Sequence, residues 1–139
     1  MTLRQATQSD IPGMHRVRLA VRENTLSNPN RITEADYIAA LENLGRTWVV
    51  EADGEIAAFA TGYKAGSVWA LFVHPLHEGR GYGNALHSTL VNWLWSLGRK
   101  RLWLTTSPGT RAERFYVSRG WQPCGIVPGG DLRLELGGP

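Results

Sequence analysis

Residues 68–90, VWALFVHPLHEGRGYGNALHSTL, constrain the fold more than any other stretch. The nearly all-apolar run Val68 to Val73 reads as a central strand covered on both faces, and Pro75 stops it. Gly79, Gly81 and Gly83 follow at alternate positions, and then a helix begins. At 100° per residue Leu86, Leu90, Trp93 and Leu97 share one stripe with Leu94 at its margin, whereas Asn84, Ser88 and Asn92 lie opposite. The helix is therefore amphipathic and should end near Gly98. A strand handed to a helix through glycine is a place where main-chain N–H groups can approach an anion. Glycine has no Cβ to block the approach, and the first helical turn offers unpaired donors at the positive end of its dipole. A plain reversing turn uses the same residues. A dinucleotide fingerprint requires the third glycine one residue later and an acidic residue further on, and a Walker A loop requires Lys-Ser or Lys-Thr after the glycines. Neither pattern is present.

The rest of the chain supplies a sheet and its covering helices. Thr2 to Ala6 reads as a first strand, and Ser9 with Asp10 caps a helix through IPGMHRVRLAVREN, with Pro12 in its first turn. Residues 24–32 are rich in turn formers, and a second helix is expected from Thr33 to Leu44 with Ile38, Ala39 and Leu41 inward. Val49 and Val50, the pair Asp53-Gly54, then Ile56 and Phe59 read as a hairpin. RLWLTT (101–106) is a strand; Thr110 to Ser118 is a short helix with Ala112, Phe115 and Tyr116 on one face, ended by Gly120; two strands flank the turn Pro128 to Asp131. The expectation is α/β (α+β), one mixed sheet with flanking helices, in a single domain over residues 1–139.

Charge and cysteine content exclude several classes. With 15 basic against 12 acidic residues the net charge is only +3, too weak for nucleic acid but suited to a small anionic ligand. Cys124 is the lone cysteine, so no internal disulfide forms, and no Cys/His spacing suggests a metal. A polar start and the lack of a long apolar run point to a cytoplasmic protein without membrane attachment.

Val73-His74-Pro75 followed by EGRGYGNAL, Glu78 to Leu86, resembles the acetyl-CoA signature R/Q-x-x-G-x-G/A of the GNAT N-acyltransferase superfamily. AERFYVSRGW, Ala112 to Trp121, is similar to that family's later A-x-x-F-Y-x-x-x-G-F segment, and the opening LRQATQSDI is similar to its first strand and helix start. Two positions depart: Glu78 stands where the pattern has Arg or Gln, and Gly109 where many members have an Asn that contacts the cofactor. Glu78 is expected to face solvent.

The resemblance implies a mostly antiparallel sheet of six to seven strands, four flanking helices, and splayed central strands that hold acetyl-CoA and release CoA. It implies an N-acetyltransferase acting on a primary amine of an unidentified acceptor; a small molecule is the first expectation, and a protein terminus stays open. Leu71 and Val73 would pair with the pantetheine arm, and the Val73 N–H would polarise the thioester. Gly79, Arg80, Gly81, Tyr82, Gly83 and Asn84 would cradle the pyrophosphate, with Arg111 and Arg114 reaching phosphates. Tyr116 would protonate the departing thiolate, since a phenol remains protonated at neutral pH. An ordinary core tyrosine is the competing reading. Glu23, Asn24, Ser27, Arg31 and Trp69 would border the acceptor. His74, Glu51, Glu23 and His77 are ionisable groups near the expected cleft, and none is assigned as a base. A non-catalytic acyl-CoA sensor is the alternative function. Val91 and Trp95 fall opposite the helical stripe, which leaves a homodimer open.

Overall fold

The computed structural model describes residues 1–21 and 32–139. In chain order the elements are β1 (Thr2–Gln5), α1 (Ile11–Ala20), α2 (Glu34–Ala39), β2 (Gly45–Ala52), β3 (Glu55–Tyr63), β4 (Val68–Val73), α3 (Tyr82–Ser96), β5 (Arg101–Thr106), α4 (Arg111–Ser118), β6 (Gln122–Ile126) and β7 (Leu132–Gly137). The four α-helices and seven strands of the described residues agree with the expected mixed architecture. The strands form two sheets, ordered β1-β2-β3-β4 and β5-β7-β6, with every neighbouring pair antiparallel.

The two sheets meet at one point. Ser67 and Trp103 form an isolated parallel bridge, and the Trp103 N–H donates to the Gly66 carbonyl at 3.1 Å. Beyond it β4 and β5 share no ladder, so the expected single sheet is split where its central strands diverge. The β2–β3 turn places Asp53 and Gly54 both at positive φ, 55° and 77°, which suits the twist of a tight hairpin.

β3 is the spine of the core. Ala57, Ala58, Phe59 and Ala60 are fully buried in succession, because both faces of this strand are covered. One face packs with Met14 and Val17 of α1 and Tyr37 of α2. The other packs with Leu86, Leu90 and Leu94 of α3, and the same cluster takes in Leu102 and Leu134 from the second sheet.

Two helical expectations are corrected. α2 is held by a capping box in which the Thr33 N–H donates to Asp36 Oδ2 at 2.8 Å and Asp36 N–H donates back to Thr33 Oγ1 at 3.3 Å. Its α-helical hydrogen bonding ends at Ala39, and Ala40–Leu44 continue as a π turn. Tyr37 and Ala40 take the fully buried positions, while Ile38 and Leu41 pack only partly. In α3, Leu94 is fully buried and Leu97 is 40% exposed. Because α3 covers both sheets, its apolar arc is wider than one stripe: His87 and Val91 are buried, and Trp95 packs against the same core. The Val91 and Trp95 face is thus covered within the chain and gives no support to a homodimer. No helix of the described residues is long and apolar enough to cross a membrane.

Candidate active site

The divergence of β4 from β5 exposes one edge of β4. His74 N–H donates to the Ala57 carbonyl at 2.8 Å, which sets the alternation along the β3–β4 ladder: Phe72 turns its main-chain groups to β3, and Leu71 and Val73 turn theirs away into the gap. The gap opens into a cavity of about 750 Å³ lined by Leu71, Val73 and Tyr116 and by the turn before α3.

That turn is shaped by its glycines. Gly79 and Gly81 sit at φ 76° and 83°, and a Cβ at either would meet no atom within 4 Å, so both answer to backbone conformation rather than crowding. Gly83 is helical; a Cβ there would lie 3.4 Å from Val73 Cγ2 and 3.5 Å from the Phe115 ring. The first α3 hydrogen bond runs from Ala85 N–H to the Gly81 carbonyl at 3.1 Å. The N–H groups of Tyr82, Gly83 and Asn84 therefore have no acceptor within the helix, and these residues line the cavity together with Gly79 and Gly81. The arrangement is a cradle for an anion.

α4 closes the opposite side. Its Thr110 cap accepts from Glu113 N–H at 3.3 Å, and its inner face carries Ala112, Phe115 and Tyr116 as the periodicity predicts. Tyr116 is 6% exposed; burial pushes its phenol well above the ordinary value, so it is a proton donor across the physiological range. Tyr116 lines the cavity. Its ring packs on Trp121 at 5.5 Å and on His87 at 6.3 Å.

The basic residues are arranged differently from the expectation. Arg80 does not line the cavity; its guanidinium donates to Asp53 Oδ2 at 3.1 Å and lies 3.3 Å from His77 Nδ1. Arg114 donates to the Gly109 carbonyl at 3.4 Å and is also outside the lining. Arg111 is at the cavity, bonded to Glu78 Oε2 at 2.9 Å, so the exposed Glu78 carboxylate is tied to a cation across the cavity mouth. Arg119, which sequence reading passed over, also lines the cavity. It donates to Asn84 Oδ1 at 3.0 Å and to the Phe115 carbonyl at 3.2 Å, and its guanidinium stacks 3.7 Å from the Phe115 ring centroid. Only its place one residue before the helix-ending Gly120 hinted at a fixed position.

The other ionisable candidates among the described residues have partners of their own, and two of them, His74 and His77, line the cavity. Glu51 accepts from Arg4 Nε at 2.6 Å. His77 is buried and lies 2.9 Å from Glu55 Oε1, and His74 Nδ1 accepts the Leu76 N–H at 3.1 Å. Glu23, Asn24, Ser27 and Arg31 lie outside the described residues. Trp69 is not in the cavity wall. The β3–β4 ladder passes from Thr61↔Ala70 to Gly62↔Val68, so Trp69 is the extra residue of a bulge. It sits with Ala70 and Phe72 in the α1/α2 cluster, stacked on Tyr63 at 5.8 Å. Among the described residues no group of His, Cys, Asp and Glu could hold a metal ion.

Comparison with known proteins gives one consistent result. The profile of the Acetyltransferase (GNAT) family matches residues 11–121. The fold is similar to that of the PaiA N-acetyltransferase from Thermoplasma acidophilum, solved in complex with coenzyme A, at 13% identity, TM-score 0.83, covering 99% of this chain and 98% of that one. It is similar to the ribosomal-protein-alanine N-acetyltransferase from Brucella melitensis at 20% identity, TM-score 0.80, covering 99% of each chain. A third likeness is to YncA from Salmonella typhimurium, a putative acetyltransferase solved with acetyl-CoA, at 19% identity, TM-score 0.73, covering 99% and 93%.

Proposed function

The chain belongs to the acetyltransferase (GNAT) family, and from that premise we propose that it transfers the acetyl group of acetyl-CoA directly to the primary amine of a small molecule. The observation that carries this reading is the convergence on one cavity of the unpaired β4 edge, the first turn of α3 and the Tyr116 phenol. Each meets a different part of a thioester cosubstrate.

The Leu71 and Val73 main-chain groups pair with the pantetheine arm as if it were an added strand. The Val73 N–H donates to the thioester oxygen, where negative charge develops as the amine attacks. The pyrophosphate rests on the N–H groups of Tyr82, Gly83 and Asn84, with Gly79 and Gly81 letting it approach, and Arg119 and Arg111 supply the nearest positive charge in place of Arg80 and Arg114. The neutral amine nitrogen forms its bond to the carbonyl carbon, the C–S bond breaks, Tyr116 gives its proton to the departing thiolate sulfur, and the proton lost by the nitrogen returns through solvent to the phenolate. Cys124 is exposed on β6 and is not in the cavity lining, so a route through an acyl-cysteine has no geometric support.

Thiol release from acetyl-CoA, measured across a panel of primary amines, tests the reading. Amine-dependent release with a mass gain of one acetyl on the amine is the expected result. Cofactor binding with no turnover on any amine, and only slow thioester hydrolysis, contradicts it.

A further inference from the structure

Arg18, in the last turn of α1, is only 7% exposed. Its Nε and Nη1 are, among the described residues, the side-chain nitrogen or oxygen atoms that are sealed from solvent and have no hydrogen-bond partner. The guanidinium lies 4.9 Å from the Trp69 ring centroid and 5.0 Å from that of Phe72. It also lowers the Tyr37 phenol against the upward push of burial, which puts its charge beside that hydroxyl. A guanidinium stays charged at every relevant pH. Aromatic faces stabilise such a cation, but they leave Nε and Nη1 unused, and a buried cation is strongly disfavoured without an anion, of which the described residues supply none by ion pair.

The place of this group matters as much as its state. Phe72, Ala20 and Val21 all line the active-site cavity, so the guanidinium stands one side chain behind the cavity wall. Trp69 and Phe72 belong to the α1/α2 cluster, whereas the anion cradle of α3 packs against the other face of the sheet. The charge is therefore on the side away from the phosphates. It suits the other reactant.

We propose that Arg18 is the anion-recognition group of the acceptor site, and that the acceptor is an amine carrying a carboxylate, which the Arg18 guanidinium draws to the Phe72 side of the cavity. This rests on the acetyl-transfer reading above. The carboxylate belongs to a free amino acid or to the end of a short peptide, and the same chemistry serves both.

The test follows the Arg18 Nε–H resonance in ¹⁵N-labelled protein saturated with CoA, assigned by its loss in Arg18→Met. The probes are alanine, 4-aminobutyrate and dialanine, each against its carboxamide, with spermidine as a cationic amine. The carboxylates should shift the resonance, and the amides and spermidine should leave it in place; whether the free acids or the dipeptide act identifies the source. In thiol-release assays kcat/KM should favour carboxylates over carboxamides by on the order of 100-fold. That preference should vanish in Arg18→Met and return partly in Arg18→Lys, with calorimetric acetyl-CoA affinity unchanged in both. A resonance indifferent to every carboxylate, or a preference that survives Arg18→Met, overturns the proposal. Shifts by carboxylates without turnover of any amine would uphold the anion site while removing the transferase reading.

Discussion

Trp121 donates its indole N–H to Nε2 of His87 at 3.0 Å, with both side chains buried between α3 and the second sheet. The accepted bond places the His87 proton on Nδ1 and requires a neutral ring. Burial first, then the Arg119 charge, lowers its pKa to about 4. Since the unfolded chain protonates this histidine near pH ~6.5, the native state binds fewer protons between those values. The stabilisation is complete above about pH 6.5 and is lost as pH falls toward 4, by roughly 3 kcal/mol in total. Urea denaturation at pH 7 and 4.5 should show this loss in the wild type and much less of it in His87→Gln. An equal loss in both proteins would assign the dependence to other groups.

His87 also packs against the ring of Tyr116, which lines the cavity. Tyr116→Phe should lower kcat roughly 100-fold with little change in acetyl-CoA affinity, because only the proton donor is removed. The raised Tyr116 pKa means that its ionisation should cause no fall in kcat below about pH 10. Unchanged kcat in the phenylalanine variant would make Tyr116 a core residue only.

Glu78 departs from the usual glycine-loop pattern yet is tied to Arg111 at 2.9 Å on the surface. An exposed pair of this kind adds little stability. Glu78→Gln should therefore leave the denaturation midpoint nearly unchanged. It should tighten acetyl-CoA binding by about 2- to 5-fold at low salt, by removing a negative charge from the cavity mouth, with the gain fading as salt is raised. Weaker binding in the variant would show that the carboxylate positions Arg111 for the cofactor.

The glycines separate conformation from space. Gly81 is at φ 83°, where an L-residue is strained by about 1–2 kcal/mol, so Gly81→Ala should lose stability of that order. Gly83 is helical, and its added Cβ would touch Val73 and Phe115 without overlap. Gly83→Ala should be near neutral in denaturation while weakening acetyl-CoA binding by narrowing the approach to the cradle. Equal stability losses in the two variants would contradict this division.

The β4 strand, the Asp53-Gly54 turn and the glycine loop were legible because local rules specify them: apolar continuity, positive φ, and a helical period. The side chains that complete the site were less so. Arg80 and Arg119 look alike in sequence, and their directions are set by Asp53 and Asn84, 27 and 35 residues away. Trp69 was expected to border the acceptor directly; a bulge in the β3–β4 ladder, which no local pattern announces, sets it in the α1/α2 cluster beside Phe72, behind the cavity wall. Leu94 and Leu97 exchange their expected burial because a single-stripe projection assumes one covering surface, and α3 has two. No sequence pattern singles out Arg18; the rings of Trp69 and Phe72, which close over it, come from a strand more than 50 residues on.

Calorimetric titration of acetyl-CoA into the wild type and Gly81→Glu tests the central claim most directly, because every step assigned to the cavity depends on the cofactor lying along β4 with its pyrophosphate on α3. Saturable one-site binding by the wild type, abolished in a folded Gly81→Glu protein, is the predicted result. No binding by the wild type, or equal binding by both proteins, would contradict the account.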